Sequence, residues 1–280
     1  MTLADVDPLT QAIIMGIVQG LTEFLPISSS GHLIIVPTLA GWNDPFIRSL
    51  AFSVMLHIGT LVALLVYFRH DWLRLVPAGL AAIRDRRFDG DADRRLAWLL
   101  AIATIPALVV GGLLNDAVEE RFRQVGLVAV MLVVGGAILW LAEQRGSHRL
   151  LTLDLTFPKA LGIGAAQAVA LIPGISRSGI SISAGLFAGL DRESAARFSF
   201  LMATPITAMA VAYEGLKLVR GEVGGAEPVS MVVGVVASFV AGILAIAVLL
   251  RYVRSRSFAV FVAYRFVLAA VVFVTLLVRS

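Results

Sequence analysis

The chain has no cysteine, little charge and almost no lysine. Without cysteine there is no disulfide, no thiolate nucleophile and no Cys-ligated metal. Only 15% of its 280 residues are Asp, Glu, Lys or Arg, where ordinary soluble domains carry about 25%. So few charges cannot cover the surface of a soluble fold. A soluble enzyme, a disordered chain and a nucleic-acid-binding protein are therefore excluded. Lys159 and Lys217 are the only lysines, so the net charge of +4 rests on arginine. In an apolar chain this reads as basic cytoplasmic loops and not as a nucleic-acid footprint. The segment Met1–Pro8 carries Asp5 and Asp7 and no positive residue, so it does not read as a cleavable signal peptide.

What the chain has in excess is apolar sequence: 59% of residues, with a mean hydropathy of +0.90. Long unbroken apolar runs fit helices and not the short alternating strands of a barrel. A spanning helix needs about 20 such residues. Six segments qualify: 49–68, 96–114, 125–142, 197–219, 229–250 and 258–278. Two further apolar stretches, 9–41 and 158–190, are broken in the middle by PISSSGH at 26–32 and PGISRSG at 173–179. Such breaks cannot face lipid, because their backbone polar groups would be unpaired. They read as re-entrant hairpins of two short helices meeting at a polar turn.

The two broken stretches match each other at a constant offset of 148, without a gap. Gly16 falls on Gly164, Gln19 on Gln167, Ser28 on Ser176, Ser30 on Ser178 and Gly31 on Gly179. The expected fold is an all-α polytopic membrane protein with six transmembrane helices plus two re-entrant helical hairpins arranged as an inverted repeat. It forms one integral membrane domain over 1–280. Repeat 1 covers 9–142, a hairpin plus three spans; repeat 2 covers 158–278, an inverted hairpin plus three spans. The loops 69–95, 143–159, 191–197 and 251–257 hold fifteen Arg and Lys residues against six on the other side. That bias makes the first side cytoplasmic, and both termini and the first hairpin then open outward.

The chemistry concentrates in the hairpins. A charge near the bilayer centre costs about 2.5–3.5 kcal/mol, so Glu23 and Arg177 need partners or a wet cavity. One reading is a buried ion pair that fixes hairpin packing. The other takes in the hydroxyls around them. Ser28, Ser29 and Ser30 with Gly31, and Ser176 and Ser178 with Gly179, stand at helix starts, where N–H groups and the helix dipole favour an anion. Arg177 adds a fork matched to phosphate oxygens, and Ser181 follows with a further hydroxyl. Simple interhelical hydrogen bonding is the plainer alternative for the serines. Gln19 and Glu23 lie one turn apart on one helix face, and their oxygens beside phosphate suit a divalent cation, Mg²⁺ or Ca²⁺. Gln19 as a plain hydrogen bonder is equally open. His32 is a candidate acid–base group. His57 lies within a span and reads as packing, and Arg265 in the last span reads as structurally paired, a carbonyl being one candidate partner.

At GLTEFLPISSSGH (20–32) and PGISRSGIS (173–181) the sequence resembles the bacterial undecaprenyl-diphosphatases, also called bacitracin-resistance proteins. The length and the pattern of spans agree over essentially the whole chain. The resemblance implies a hydrolase of the bacterial plasma (inner) membrane that uses a divalent cation. It would convert undecaprenyl diphosphate to undecaprenyl phosphate and inorganic phosphate, recycling the lipid carrier for peptidoglycan and conferring bacitracin resistance. Carried over by motif, Gln19 and Glu23 are the metal pair, Ser28, Ser29 and His32 the serine-rich turn, and Arg177 the phosphate-binding arginine. Many members have Glu where this chain has Gln19, and Thr where it has Ser181.

The expected catalytic set is Glu23, Ser29, His32 and Arg177. The expected substrate-binding set is Ser28, Ser30, Gly31, Ser176, Ser178, Gly179 and Ser181. Ser29 is the candidate nucleophile with His32 as base and then acid; attack by water activated by His32 is the competing version. The expected partners are undecaprenyl diphosphate and membrane lipid, with no nucleic acid; a homodimer is compatible. The active site is expected to open to the outer, periplasmic side. An anion or lipid-phosphate transporter or flippase is the alternative suggested by the inverted repeat, and a non-catalytic lipid-carrier scaffold is a third.

Overall fold

The computed structural model describes residues 6–88, 91–220 and 227–279, without the side chains of 114–121, 214, 217–219 and 279. Most of Met1–Pro8 and the side chains of Arg121, Lys217 and Arg279, which enter the charge count, lie outside the described residues.

The regular elements are helices. α1 (Pro8–Phe24) and α2 (Ser29–Ala40) form the first broken stretch; α7 (Phe157–Ala168), a 3₁₀ turn at Val169–Leu171 and α8 (Arg177–Phe187) form the second. Between and after them run α3 (Leu50–Tyr67), α4 (Arg69–Asp85), α5 (Ala92–Phe122), α6 (Val125–Arg145), α9 (Arg192–Val219), α10 (Pro228–Val253) and α11 (Ala259–Arg279). Six of these, α3, α5, α6, α9, α10 and α11, are long and apolar enough to cross a membrane. They match the six segments expected from hydropathy, and the chain is a multi-pass membrane protein.

Two expected loops are largely helical. Residues 69–85 form α4, and α5 begins at Ala92. Arginines interrupt the apolar positions of α4, so a window average hides its helical period. Likewise 191–197 is the start of α9, capped where the Asp191 carboxylate accepts the Ser194 N–H at 2.7 Å.

The second helix of each pair starts in the same unusual way. Ser28 and Ser176 take φ of 75° and 76°, a region that non-glycine residues seldom adopt. Each hydroxyl accepts the N–H three residues on, Gly31 at 3.3 Å and Gly179 at 3.1 Å. The serine therefore supplies both the reversal and the cap. The first helices are also seated alike. A Cβ on Gly16 or Gly20 of α1 would run into the carbonyl oxygens of Gly234 or Ser238 on α10, and one on Gly164 of α7 into that of Ala103 on α5. Small residues let these backbones touch, as membrane helices require where no hydrophobic effect drives them together.

Both turns are tied to α11 by Arg265, which is fully buried. Its Nη1 donates to the Pro26 carbonyl at 3.2 Å, and its Nη2 to those of Gly174 at 2.8 Å and Ile175 at 3.0 Å. Its Nε donates to Leu132 O on α6 at 2.9 Å. The carbonyl partner read from the sequence is thus several carbonyls, and those of Pro26, Gly174 and Ile175 belong to irregular backbone that needs a donor from elsewhere in the fold.

Because Gly20 seats α1 on α10 just before Glu23, Gly20→Val should force the helices apart. A loss of roughly 1–3 kcal/mol is expected for such overpacking, read as a lower unfolding midpoint in detergent. Gly162→Ala, at a position with open space around it, should leave the midpoint unchanged or slightly higher.

Candidate active site

The last turn of α1 points Glu23 at the first turns of α2 and α8. Glu23 Oε2 accepts the Ser29 hydroxyl at 2.5 Å and the Gln19 amide at 2.9 Å, and Oε1 accepts Arg177 Nη2 at 2.5 Å. Ser29 and Arg177 each open their helix, and they correspond under the same offset of 148. One carboxylate therefore sits where two helix N-termini converge, a place that favours negative charge. The Glu23 side chain is 4% exposed and that of Arg177 17%. Arg177 Nη1 is held by the Ala203 carbonyl at 3.1 Å and the Thr207 hydroxyl at 3.0 Å, both on α9. The guanidinium is thus fixed by α9 and aimed at α1.

His57 belongs to this cluster, which corrects its reading as packing. Its Nδ1 bonds the Ser53 carbonyl at 2.8 Å, and its Nε2 lies 3.5 Å from Glu23 Oε2. The carbonyl partner requires the hydrogen on Nδ1, so Nε2 is the atom turned to the carboxylate. The one sequence signal was a lone titratable residue in an otherwise apolar span. Thr207 gave none.

His32 is elsewhere. Its Nδ1 bonds Ser28 O at 2.7 Å, its Nε2 bonds the Tyr264 hydroxyl at 2.7 Å, and its ring stacks on Tyr264. Both ring nitrogens are engaged away from Ser29, whose hydroxyl is held by Glu23. Ser181 also turns away: it bonds Arg177 O at 2.7 Å and Ser199 on α9 at 2.6 Å. Ser178 ties the two turns together by donating to Leu25 O at 3.1 Å. Ser28 and Ser176 are spent on capping. A Cβ on Gly179 would stand 3.0 Å from Arg265 Nη1, so the space beside this glycine is taken by Arg265. Gly31 packs in the same way against Ser28 and Val128. Of the expected substrate-binding residues, Ser30 faces open space.

That space is a cavity of about 500 Å³. Ser30, Ser53 and His57 form polar parts of its wall, and Leu33, Leu108 and Met209 are among its apolar lining. It lies toward the end of the bundle away from the arginine-rich loops, between α2, α3, α5 and α9.

The donors for a divalent cation are all oxygens. Gln19 Oε1 is buried and has no hydrogen-bond partner, and Glu23 adds a carboxylate already shared with Arg177 and Ser29. Among the described residues no group of three or more His, Asp or Glu comes together to hold a metal. These residues fit a hard cation that draws most of its ligands from water and phosphate oxygens.

The fold and this cluster define a class: a multi-pass membrane protein with a buried carboxylate–hydroxyl–guanidinium site beside an apolar cavity. The chain belongs to the bacitracin resistance protein BacA family, whose match extends over residues 12–271. It is 48% identical over 270 residues to an undecaprenyl-diphosphatase of Desulforudis audaxviator, covering 96% of this chain and 98% of that one. It is 47% identical over 270 residues to one of Gemmatimonas aurantiaca, with the same coverage. It is 44% identical over 265 residues to one of Idiomarina loihiensis, covering 94% and 97%.

Glu23 and Arg177 are buried partners, so removing one should cost more stability than removing both. Glu23→Gln or Arg177→Met alone is expected to lose about 3–5 kcal/mol. The double variant should recover part of that loss. Urea unfolding of the three variants in detergent measures the coupling.

Proposed function

We propose that this protein hydrolyses undecaprenyl diphosphate to undecaprenyl phosphate and inorganic phosphate, returning the lipid carrier to peptidoglycan synthesis. The observation that carries this is Glu23 holding the Ser29 hydroxyl and the Arg177 guanidinium, each at 2.5 Å, between two helix N-termini. The apolar cavity alongside suits a prenyl chain, and the relatives that match nearly the whole chain are named undecaprenyl-diphosphatases. A transporter has no need of a hydroxyl poised on a carboxylate, so carriage of an anion is not favoured.

In the proposed reaction the terminal phosphate enters the site and takes the Arg177 fork and the N–H groups of the two helix starts. Glu23 accepts the Ser29 proton, replacing His32 in the role of base. Ser29 Oγ attacks the terminal phosphorus and the bridging P–O bond breaks, so undecaprenyl phosphate leaves. Water then hydrolyses the phosphoserine and releases phosphate. Beyond forming and breaking the phosphoserine, the acceleration comes from positioning and from neutralising charge in a loose transition state. His32, bound to Ser28 O and Tyr264, positions the turn that presents Ser29. A divalent cation, Mg²⁺ or Ca²⁺, entering with the diphosphate would meet Gln19 Oε1 and Glu23 and offset phosphate charge. Direct attack by water is the competing route.

The finer architecture belongs to the same proposal: two re-entrant hairpins in an inverted repeat, with the site open to the periplasm. The matched Ser28 and Ser176 turns and the matched seats of Gly16 and Gly164 support it. The arginine bias of the loops supports the orientation.

Phosphate release from undecaprenyl diphosphate by the purified protein in detergent tests the activity. Ser29→Ala should lower turnover by several orders of magnitude. Retention of more than about a tenth of the rate, a difference of about 1.4 kcal/mol, would favour water attack. Arg177→Lys keeps the charge without the fork and should lose about 10²-fold or more. Sidedness is read by single cysteines in a chain that has none: Ser30→Cys should react with an impermeant thiol reagent added outside cells. Arg86→Cys should react only after the membrane is opened, and the reverse pattern would overturn the orientation.

A further inference from the structure

The helix that hydropathy hid, α4, has no part in the site, and one of its faces is uncovered. Its inner face carries Asp71, Leu75 and Ala82, all buried against the bundle. On the opposite face Leu73, Val76, Leu80 and Ile83 form a stripe at helical spacing, exposed by 72%, 52%, 63% and 55%. The stripe is bracketed by Arg69 in the first turn and Arg84 in the last. Arg86 and Arg87 follow at the end of the helix. Over residues 69–88 five arginines stand against two aspartates.

The ion pairs fix how α4 lies. Arg74 reaches Asp93 at 3.5 Å and Asp85 reaches Arg94 at 2.9 Å. Positions 11 residues apart on α4 thus meet the same first turn of α5, so α4 crosses the start of that span and does not run along it. Asp71 latches to Arg197, near the start of α9, at 2.6 Å. α3 enters α4 through the single residue Phe68. The helix therefore lies across one end of the bundle, where three membrane-crossing helices begin or end.

We propose that α4 is an interfacial helix. Its Leu73–Val76–Leu80–Ile83 stripe docks into the bilayer surface on the arginine-rich side, and Arg69, Arg84, Arg86 and Arg87 select anionic phospholipid there. A helix in this position has polar headgroups at its edges and acyl chains beneath its apolar face, the arrangement of membrane-surface helices. Arginine stems lie along the apolar surface while the guanidinium groups reach the headgroups. Basic residues at this depth are attracted to anionic lipid with a strength that salt reduces.

The test uses the whole protein in vesicles. Leu80→Cys carrying an NBD fluorophore should be shielded from aqueous iodide and quenched by nitroxide-bearing lipid. His70→Cys, on the flank of the same helix, should be quenched by iodide. At equal mole fraction in phosphatidylcholine vesicles, nitroxide-labelled phosphatidylglycerol should quench the Leu80→Cys label several-fold more than nitroxide-labelled phosphatidylcholine. Added salt should narrow that difference. Combining Arg84→Gln, Arg86→Gln and Arg87→Gln should abolish it while phosphate release persists as a control for folding. Equal quenching by the two lipids in the native background overturns the selection of anionic lipid. Iodide access at Leu80→Cys matching that at His70→Cys overturns the docking itself. Shielding that persists in detergent and disappears on dilution would show that a second copy of the chain, and not lipid, covers the stripe.

Discussion

The structure depends on one buried guanidinium that, among the described residues, has no carboxylate beside it. Arg265 enters from α11 and spends its N–H groups on carbonyls of both irregular turns and of α6. Irregular backbone buried inside a protein persists only where its polar groups find partners. Arg265 supplies those partners for two turns at once, with a planar group whose donors point in several directions. Small residues make its path possible: a Cβ on Gly135 would strike its Nη2, and one on Gly179 would crowd its Nη1.

Holding the turns together brings two helix starts face to face. Their partial positive charge would repel unless an anion stood between them, and Glu23 provides one. The same offset that aligns the serine turns aligns Ser29 with Arg177, Glu23 with Leu171 and His32 with Ile180. Matching backbones thus present unlike side chains. One turn brings a hydroxyl and a carboxylate, and the other a guanidinium. In the proposed reaction the Glu23–Arg177 pair opens when phosphate competes for the arginine. The carboxylate then turns from holding Arg177 to accepting a proton.

The six spans were legible because a bilayer demands about 20 apolar residues and hydropathy sees them directly. The broken stretches were legible because proline, glycine and serine interrupt apolar runs only for a reason. Glu23, Ser29 and Arg177 stood out as polar residues at those breaks. Helix α4 was missed because its arginines alternate with an apolar stripe, and a window average erases the pattern. His57 was read as packing, and Thr207 and Tyr264 were missed, because each reaches its partner from a distant helix, a contact that spacing along the chain cannot reveal.

The sequence by itself determined the membrane class, the number of apolar spans, the paired serine turns and the polar residues gathered at them. These follow from local rules: hydropathy, capping and the cost of charge in lipid. Only the tertiary structure decided which of those residues meet. It joined Ser29 to Glu23 and not to His32, turned Ser181 toward α9, and brought His57 beside the carboxylate. Helix crossings at Gly16, Gly20 and Gly164 and the reach of Arg265 set those meetings, because side-chain contact depends on how packed helices cross and not on the order of residues along them.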